Sequence, residues 1–396
     1  MHYTCWLSMP LNVFGSGFQR IVSAALCCAL LLWSGFDAAQ AQQVTPARSA
    51  AAALPPSSEP SSPARAAVPG VPYRLRIVGG LDGISQYVRQ EEPFWTKELP
   101  RLSGGRFQAD IVPFDRAGVP GAEMLRLLQL GVVPFGTALM SSFSSQYPQY
   151  TAPDLAGLSP DLATQRTTLA AFRPYLEKSL REQHGVEALA VYVYPAQVVF
   201  CKKPLRSLAD LSGRKVRVSG ASQADFVGAL GAVPIVTPFT QIVSSLTTGN
   251  IDCAVTGTMS GNTLGLHKLT TSVHALPVTW GLAVFGANRA AWLALPADLR
   301  ALLSRELPRL EAAIWLESER ETAQGFACNS GAPTCEGGSK GAMTVIPVSE
   351  QDERTRQKVL RTTVLPRWVQ RCGAPCAEVW NQTIGPVRGL VATPHP

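Results

Sequence analysis

Charge is scarce in this chain. Only 16% of its 396 residues are Asp, Glu, Lys or Arg, and 35 basic against 28 acidic side chains leave a net charge of +7 with no block of more than two consecutive Lys or Arg to concentrate it. That argues against nucleic acid as a partner, because phosphate binding calls for a basic patch or stripe. Histidine is just as sparse: beyond the first 41 residues only His184, His267, His274 and His395 occur. There is no His-Glu-x-x-His, no Gly-x-Ser-x-Gly and no Gly-x-x-x-x-Gly-Lys, so zinc-protease, nucleophile-elbow and phosphate-loop chemistry lack sequence support. Asp210, Asp225 and Asp252 read as turn caps rather than as an acid/base pair. Apolar residues, by contrast, make up 46% of the chain, which excludes wholesale disorder. The length exceeds what one core comfortably serves, so two lobes are expected.

Long apolar runs are also missing, with one exception. Ile21 to Trp33 follows a lone Arg20 and precedes Ala39-Gln40-Ala41, which places small residues at the two positions a signal peptidase reads. The run is short for a bilayer span, so residues 1–41 are expected to be a signal peptide cleaved after Ala41, with an uncleaved anchor as the alternative. Cys27 and Cys28 lack a lipobox before them, which disfavours lipidation. The mature chain is therefore expected in the periplasm. Residues 42–72 are rich in Ala, Pro and Ser with almost nothing large to bury, as in Leu54-Pro55-Pro56-Ser57-Ser58-Glu59-Pro60, and read as a disordered or polyproline-like tether.

Folded sequence begins near Tyr73. Arg74-Leu75-Arg76-Ile77-Val78 alternates at strand period and stops at Gly79-Gly80, and a loop through Gly83 opens a helix carrying Tyr87, Val88, Phe94 and Trp95. Arg106 to Phe114 is a second strand; Gly121 to Leu130 is a second helix, with Met124, Leu127 and Leu128 on one face and Gly131 as its stop. The middle of the chain echoes this order. Lys215-Val216-Arg217-Val218 is a strand, and Val236-Thr237-Pro238-Phe239, like Val112-Pro113-Phe114 before it, leads into a helix, here with Ile242, Val243 and Leu246 and a stop at Gly249. Such alternation predicts α/β layers with ligand bound beyond the carboxyl ends of the strands. From Ala290 to Phe326 the leucines at 299, 302, 303, 307 and 310 and Ile314 keep a helical period. A rod this long suits a spine across two lobes, with Pro296 in its first turn and Pro308 kinking it.

Several ordered blocks together resemble one family. Pro204-Leu205-Arg206-Ser207-Leu208-Ala209-Asp210-Leu211-Ser212-Gly213-Arg214-Lys215-Val216-Arg217-Val218, then Leu230-Gly231-Ala232-Val233-Pro234, Pro238-Phe239-Thr240 and Leu246-Thr247-Thr248-Gly249-Asn250-Ile251-Asp252 closely resemble the solute-binding subunits of TRAP (tripartite ATP-independent periplasmic) transporters. Phe285-Gly286-Ala287-Asn288-Arg289-Ala290-Ala291-Trp292-Leu293-Ala294-Leu295-Pro296 looks like that family's approach to its long connecting helix. The resemblance covers roughly Tyr73 to Trp380.

It implies a two-lobed periplasmic-binding-protein α/β fold with a long interlobe helix, residues 73–194 plus 280–322 forming lobe I with the spine helix and 195–279 plus 323–396 forming lobe II with the cysteine-containing C-terminal region. It also implies no enzymatic activity and no cofactor. The function implied is capture of a small organic acid and its delivery to the membrane permease subunits of a transporter driven by an ion gradient. A solute-sensing adaptor and a diverged secreted enzyme are the competing classes.

The site follows residue by residue. In the resembling family the arginine of the Val-Arg-Val strand, here Arg217, grips the solute carboxylate, and a guanidinium fork suits two carboxylate oxygens. Many members carry a second arginine about seven residues before Lys-Pro; this chain has Gln197 there, in Tyr194-Pro195-Ala196-Gln197. The usual Val-Asp-Gly-x-Glu-Asn becomes Ile251-Asp252-Cys253-Ala254-Val255-Thr256, which replaces a ligand-facing amide with the hydroxyl of Thr256. Phe239 and Trp280 are candidates to stack on the solute, with core packing the other reading of Trp280. Ser141, Ser142 and Phe143 occupy the segment where the first lobe presents polar contacts. One strong cation favours a monocarboxylate.

Six cysteines follow Ala41. Proximity favours the disulfides Cys328 with Cys335 and Cys372 with Cys376, a zinc site made of these four thiolates being the alternative. Cys201 and Cys253 either pair or remain buried thiols.

Overall fold

A computed structural model describes residues 72–394. The expected signal peptide with Cys27 and Cys28, the tether up to residue 71 and His395 lie outside them.

Eleven strands are present among the described residues: β1 Tyr73–Gly79, β2 Phe107–Pro113, β3 Phe135–Leu139, β4 Val186–Val193, β5 Gln197–Cys201, β6 Lys215–Val218, β7 Val233–Val236, β8 Cys253–Gly257, β9 Ser272–His274, β10 Leu282–Asn288 and β11 Thr344–Ile346. They form two mixed sheets, β2-β1-β3-β10-β4 and β11-β9-β5-β8-β6-β7. The alternation seen in the sequence is the alternation of faces: on β1 Leu75 and Ile77 are buried while Arg74 and Arg76 face solvent. β1 runs parallel to β2 from the pair Tyr73↔Phe107 to the pair Gly79↔Pro113, and β6 runs parallel to both β7 and β8. Each sheet also holds an antiparallel strand, β10 between β3 and β4 and β5 between β8 and β9. These two strands flank the crossings. The chain leaves β4 for β5 through Tyr194-Pro195-Ala196 and returns from β9 to β10 through residues 275–281.

The helices pack outside the sheets. The expected first helix is a series of wide, π-type turns at Gln86–Glu91 and Phe94–Glu98 followed by α-helix Leu99–Leu102, with Trp95 and Leu99 fully buried. Helix Leu162–His184 shows both ends plainly: Asp161 caps it by accepting the Thr164 N–H at 2.7 Å, and Gly185 stops it at φ 58°.

The long pattern after β10 is two helices, not one. Arg289–Leu293 ends where Leu295 precedes proline, a position pushed toward extended backbone, and a 34-residue helix Ala297–Ser330 follows. Pro296 is the N-cap residue of that helix rather than part of its first turn, and the helix continues through Pro308. It buries Leu299, Leu303, Leu307 and Ile314. The Trp315 indole donates to the Val191 carbonyl at 2.9 Å and the Ser318 hydroxyl to the Val193 carbonyl at 2.7 Å, both on β4 of the first sheet. Further along, Asn329 donates to the carbonyl of Thr258, just past β8 of the second sheet, at 3.0 Å. Gly325 makes that second contact possible, because a Cβ there would run into the backbone of Thr258 and Met259. One helix thus rests against both sheets.

All six cysteines among the described residues are paired. Cys328–Cys335 and Cys372–Cys376 are the local disulfides expected from spacing, so their sulfurs are not free to hold zinc. Cys201 and Cys253 sit directly opposite each other on β5 and β8 and form the third.

Candidate ligand-binding cleft

A cavity of about 500 Å³ opens where strands of both sheets end. Phe114 and Asp115 come to its wall from the end of β2, and Ser141 and Ser142 from just past β3. From the second sheet come Arg217 on β6, Ser219 beyond it, Thr237 to Thr240 beyond β7, and Thr256 near the end of β8. Tyr194 and Gly281, one from each crossing, complete it along with Gln197 at the start of β5. This is where an α/β sheet presents its functional loops.

Arg217 is 3% exposed. Strand alternation sends Val216 and Val218 to the opposite face and leaves the arginine turned toward the cavity. Its Nε donates to the Thr237 carbonyl at 2.9 Å and Nη1 to the Val255 carbonyl at 2.8 Å, which fixes the guanidinium. No carboxylate among the described residues lies within ion-pair range of it. Burial lowers its pKa from 12.5 to about 9, so it is still a cation at neutral pH. Arg214 has a different job: it donates to the carbonyls of Lys203 and Pro204, each at 2.8 Å, on the exposed turn.

The structure brings Arg217, Gln197, Phe239, Thr256, Ser141 and Ser142 to one cavity wall or another. Gln197 donates its amide to the Pro195 carbonyl at 2.8 Å, and Thr256 is almost fully buried. Trp280 does not join them. It is core: its indole donates to the Ser159 carbonyl at 3.1 Å and its backbone N–H to Asp154 at 2.8 Å. Phe143 is likewise turned inward, against Tyr147 and Tyr150. The sequence reading missed Asp115, Tyr194, Ser219, Ser260 and Phe114. The last had a signal, since Pro113-Phe114 stands at the end of β2 as Pro238-Phe239 stands beyond β7, and both phenylalanines line the cavity.

Five carboxylates outside the cavity have structural roles. Asp210 and Asp252 accept the backbone N–H groups of Arg206 and Lys215, each at 2.8 Å, as turn caps do. Asp225 is no cap: it pairs with Arg367 at 3.3 Å and Arg371 at 2.6 Å. Asp154 accepts the N–H groups of Trp280 and Gly281, each at 2.8 Å, and so ties down the second crossing; burial raises its pKa to about 7. Glu91 is fully buried, accepts from Gly80, Gln86 and Thr137 at 2.8 to 3.0 Å, and is also raised by burial to about 7. No group of three or more His, Cys, Asp or Glu among the described residues is arranged to hold a metal.

The model of bacterial extracellular solute-binding protein family 7 (DctP) matches residues 86–328. The chain belongs to this family. Solved structures agree in fold. DctP7, a Bordetella pertussis extracytoplasmic solute receptor binding pyroglutamic acid, is 20% identical with a TM-score of 0.69 over 78% of this chain and 99% of its own. A TRAP periplasmic solute-binding protein from Desulfovibrio salexigens with bound orotic acid is 16% identical, TM-score 0.69, over 78% and 96%. Another from a Sulfitobacter species, with bound β-D-galacturonate, is 15% identical, TM-score 0.68, over 79% and 100%. Family 7 proteins are extracytoplasmic solute receptors, not enzymes, and their two-lobed α/β fold is the one described above. No helix among the described residues of this member is long and apolar enough to cross a membrane.

Proposed function

We propose that the protein is the exported solute-binding subunit of a TRAP-type secondary transporter. In this reading it captures a small monocarboxylate through Arg217 and passes it to membrane permease subunits. The observation that carries it is a buried cation on the cavity wall with no carboxylate among the described residues in ion-pair range. Burying a charge without a partner costs several kcal/mol, so a guanidinium is kept there when something anionic arrives to meet it. Arginine has five donors, and the carbonyls of Thr237 and Val255 take two; the rest remain for a carboxylate. With Gln197 and Thr256 neutral, the described residues of the cavity lining include no second cation, which favours one carboxylate over two. Pyroglutamic acid, orotic acid and galacturonate, the solutes of three of the similar structures, each carry one, while a fourth, from Desulfovibrio desulfuricans, holds sn-glycerol-3-phosphate, an anion without a carboxylate.

Phe114 and Phe239 supply apolar surface for the body of the solute. Residues 73–194 plus 280–322 and 195–279 plus 323–396 would act as lobes that close on it, and residues 1–41 would direct export. Small-angle scattering, with solutes first selected from an acid panel by thermal shift, tests the reading. The radius of gyration should shrink at saturating ligand, whereas unchanged scattering would contradict capture by closure.

A further inference from the structure

We propose that Asp115 is a second recognition point of this cleft, and that the solute carries an N–H donor, as an ammonium or a lactam, besides its carboxylate. The inference rests on the carboxylate reading of Arg217. Among the described residues of the cavity lining, Asp115 is the one carboxylate and Arg217 the one cation. They come from different sheets: Asp115 stands just past the end of β2, Arg217 on β6. Asp115 is held in place, because its Oδ1 accepts the Asp82 N–H at 3.1 Å. It has no ion pair among the described residues. The neighbouring Arg116 pairs with Asp82, at 3.8 Å, instead. Asp115 shares this lining with the Tyr194 phenol, whose pKa is raised chiefly by burial and next by Glu91.

A carboxylate facing a cleft that loses water on closure must meet a donor or remain unsatisfied. It also repels a second anionic group on the solute, so it selects against dicarboxylates while attracting N–H. The same lining supplies apolar surface from Phe114, Val119, Leu139 and Phe239. An acid that also carries one nitrogen donor matches the two charged groups in kind.

Matched five-membered rings test this by calorimetry: proline against tetrahydrofuran-2-carboxylate, and pyroglutamate against 5-oxotetrahydrofuran-2-carboxylate, in which oxygen replaces N–H. Wild type should bind the N–H acid of at least one pair about tenfold or more tightly than its oxygen counterpart. Proline responding marks an ammonium site, and pyroglutamate a lactam site. Asp115→Asn retains an oxygen acceptor for Asp82 but loses the charge, and should reduce the preference to within about threefold. Equal affinity for both members of each pair, an undiminished preference in Asp115→Asn, or a screen whose binders all lack an N–H group would overturn the proposal. Failure of the Arg217 reading looks different: binding of every acid would then be indifferent to Arg217→Ala.

Discussion

Gly220 lies so close to Ser141 that a Cβ on it would stand 2.7 Å from the Ser141 carbonyl oxygen. Gly220 follows β6 of the second sheet and Ser141 follows β3 of the first, and Ser141 and Ser219 both line the cavity. Gly220→Ala should therefore wedge the two walls apart. Overpacking of this kind costs about 1 to 3 kcal/mol, and here it should appear as solute affinity weakened roughly tenfold. Calorimetry on Gly220→Ala checks it, and unchanged affinity would show that the walls yield freely.

Glu91 makes stability depend on pH. Its folded pKa is about 7 against an ordinary value of 4.5, so the native state holds the proton more tightly than the unfolded chain. The stabilising contribution is then fully present below 4.5 and is lost as pH rises through 7, by at most a few kcal/mol. Asp154 acts in the same direction over a similar window. Urea unfolding should give higher stability at pH 5 than at pH 8. Glu91→Gln should flatten part of that slope, since an amide oxygen still accepts from Gly80 and Thr137 and the unpartnered Oε1 of Gln86 can turn toward the new N–H. An unaltered slope would show that other groups carry the dependence.

The three disulfides should differ in weight. Cys201–Cys253 closes a loop between residues 52 apart, the other two only 7 and 4. Chain entropy then assigns about 4 kcal/mol to the first and about 2 to each of the others. Denaturant unfolding of the paired alanine variants checks the ranking, and non-reducing peptide mapping checks the pairings. A Cys201/Cys253 variant as stable as the others would refute the ranking.

Much of this was legible because it is local. Strand alternation at Leu75 and Ile77, glycine stops at Gly131 and Gly249, and the Val-Arg-Val strand each declare themselves within a few residues. The break at Leu295-Pro296 was legible too, but the leucine period on its far side masked it. What escaped depends on which distant segments meet. Trp280 is an aromatic beside a crossing in either reading, and only the packing around Ser159 and Asp154 makes it core. Asp115 looks like any acidic loop residue until β2 and β6 end at one cavity. Asp225 finds Arg367 and Arg371 from a helix more than a hundred residues later, which no spacing rule reaches.

Capture as proposed depends on Arg217 as the carboxylate clamp, and titration calorimetry of its variants is the decisive measurement. Each acid that binds wild type should be measured against Arg217→Lys and Arg217→Ala, with thermal unfolding run alongside to separate loss of the site from loss of fold. Lysine keeps the charge but not the fork, so affinity should fall about tenfold to a hundredfold; alanine should bind at least about a hundredfold more weakly than wild type. Wild-type affinity in a folded Arg217→Ala for every acid that binds would contradict the clamp, and with it the proposed mode of capture.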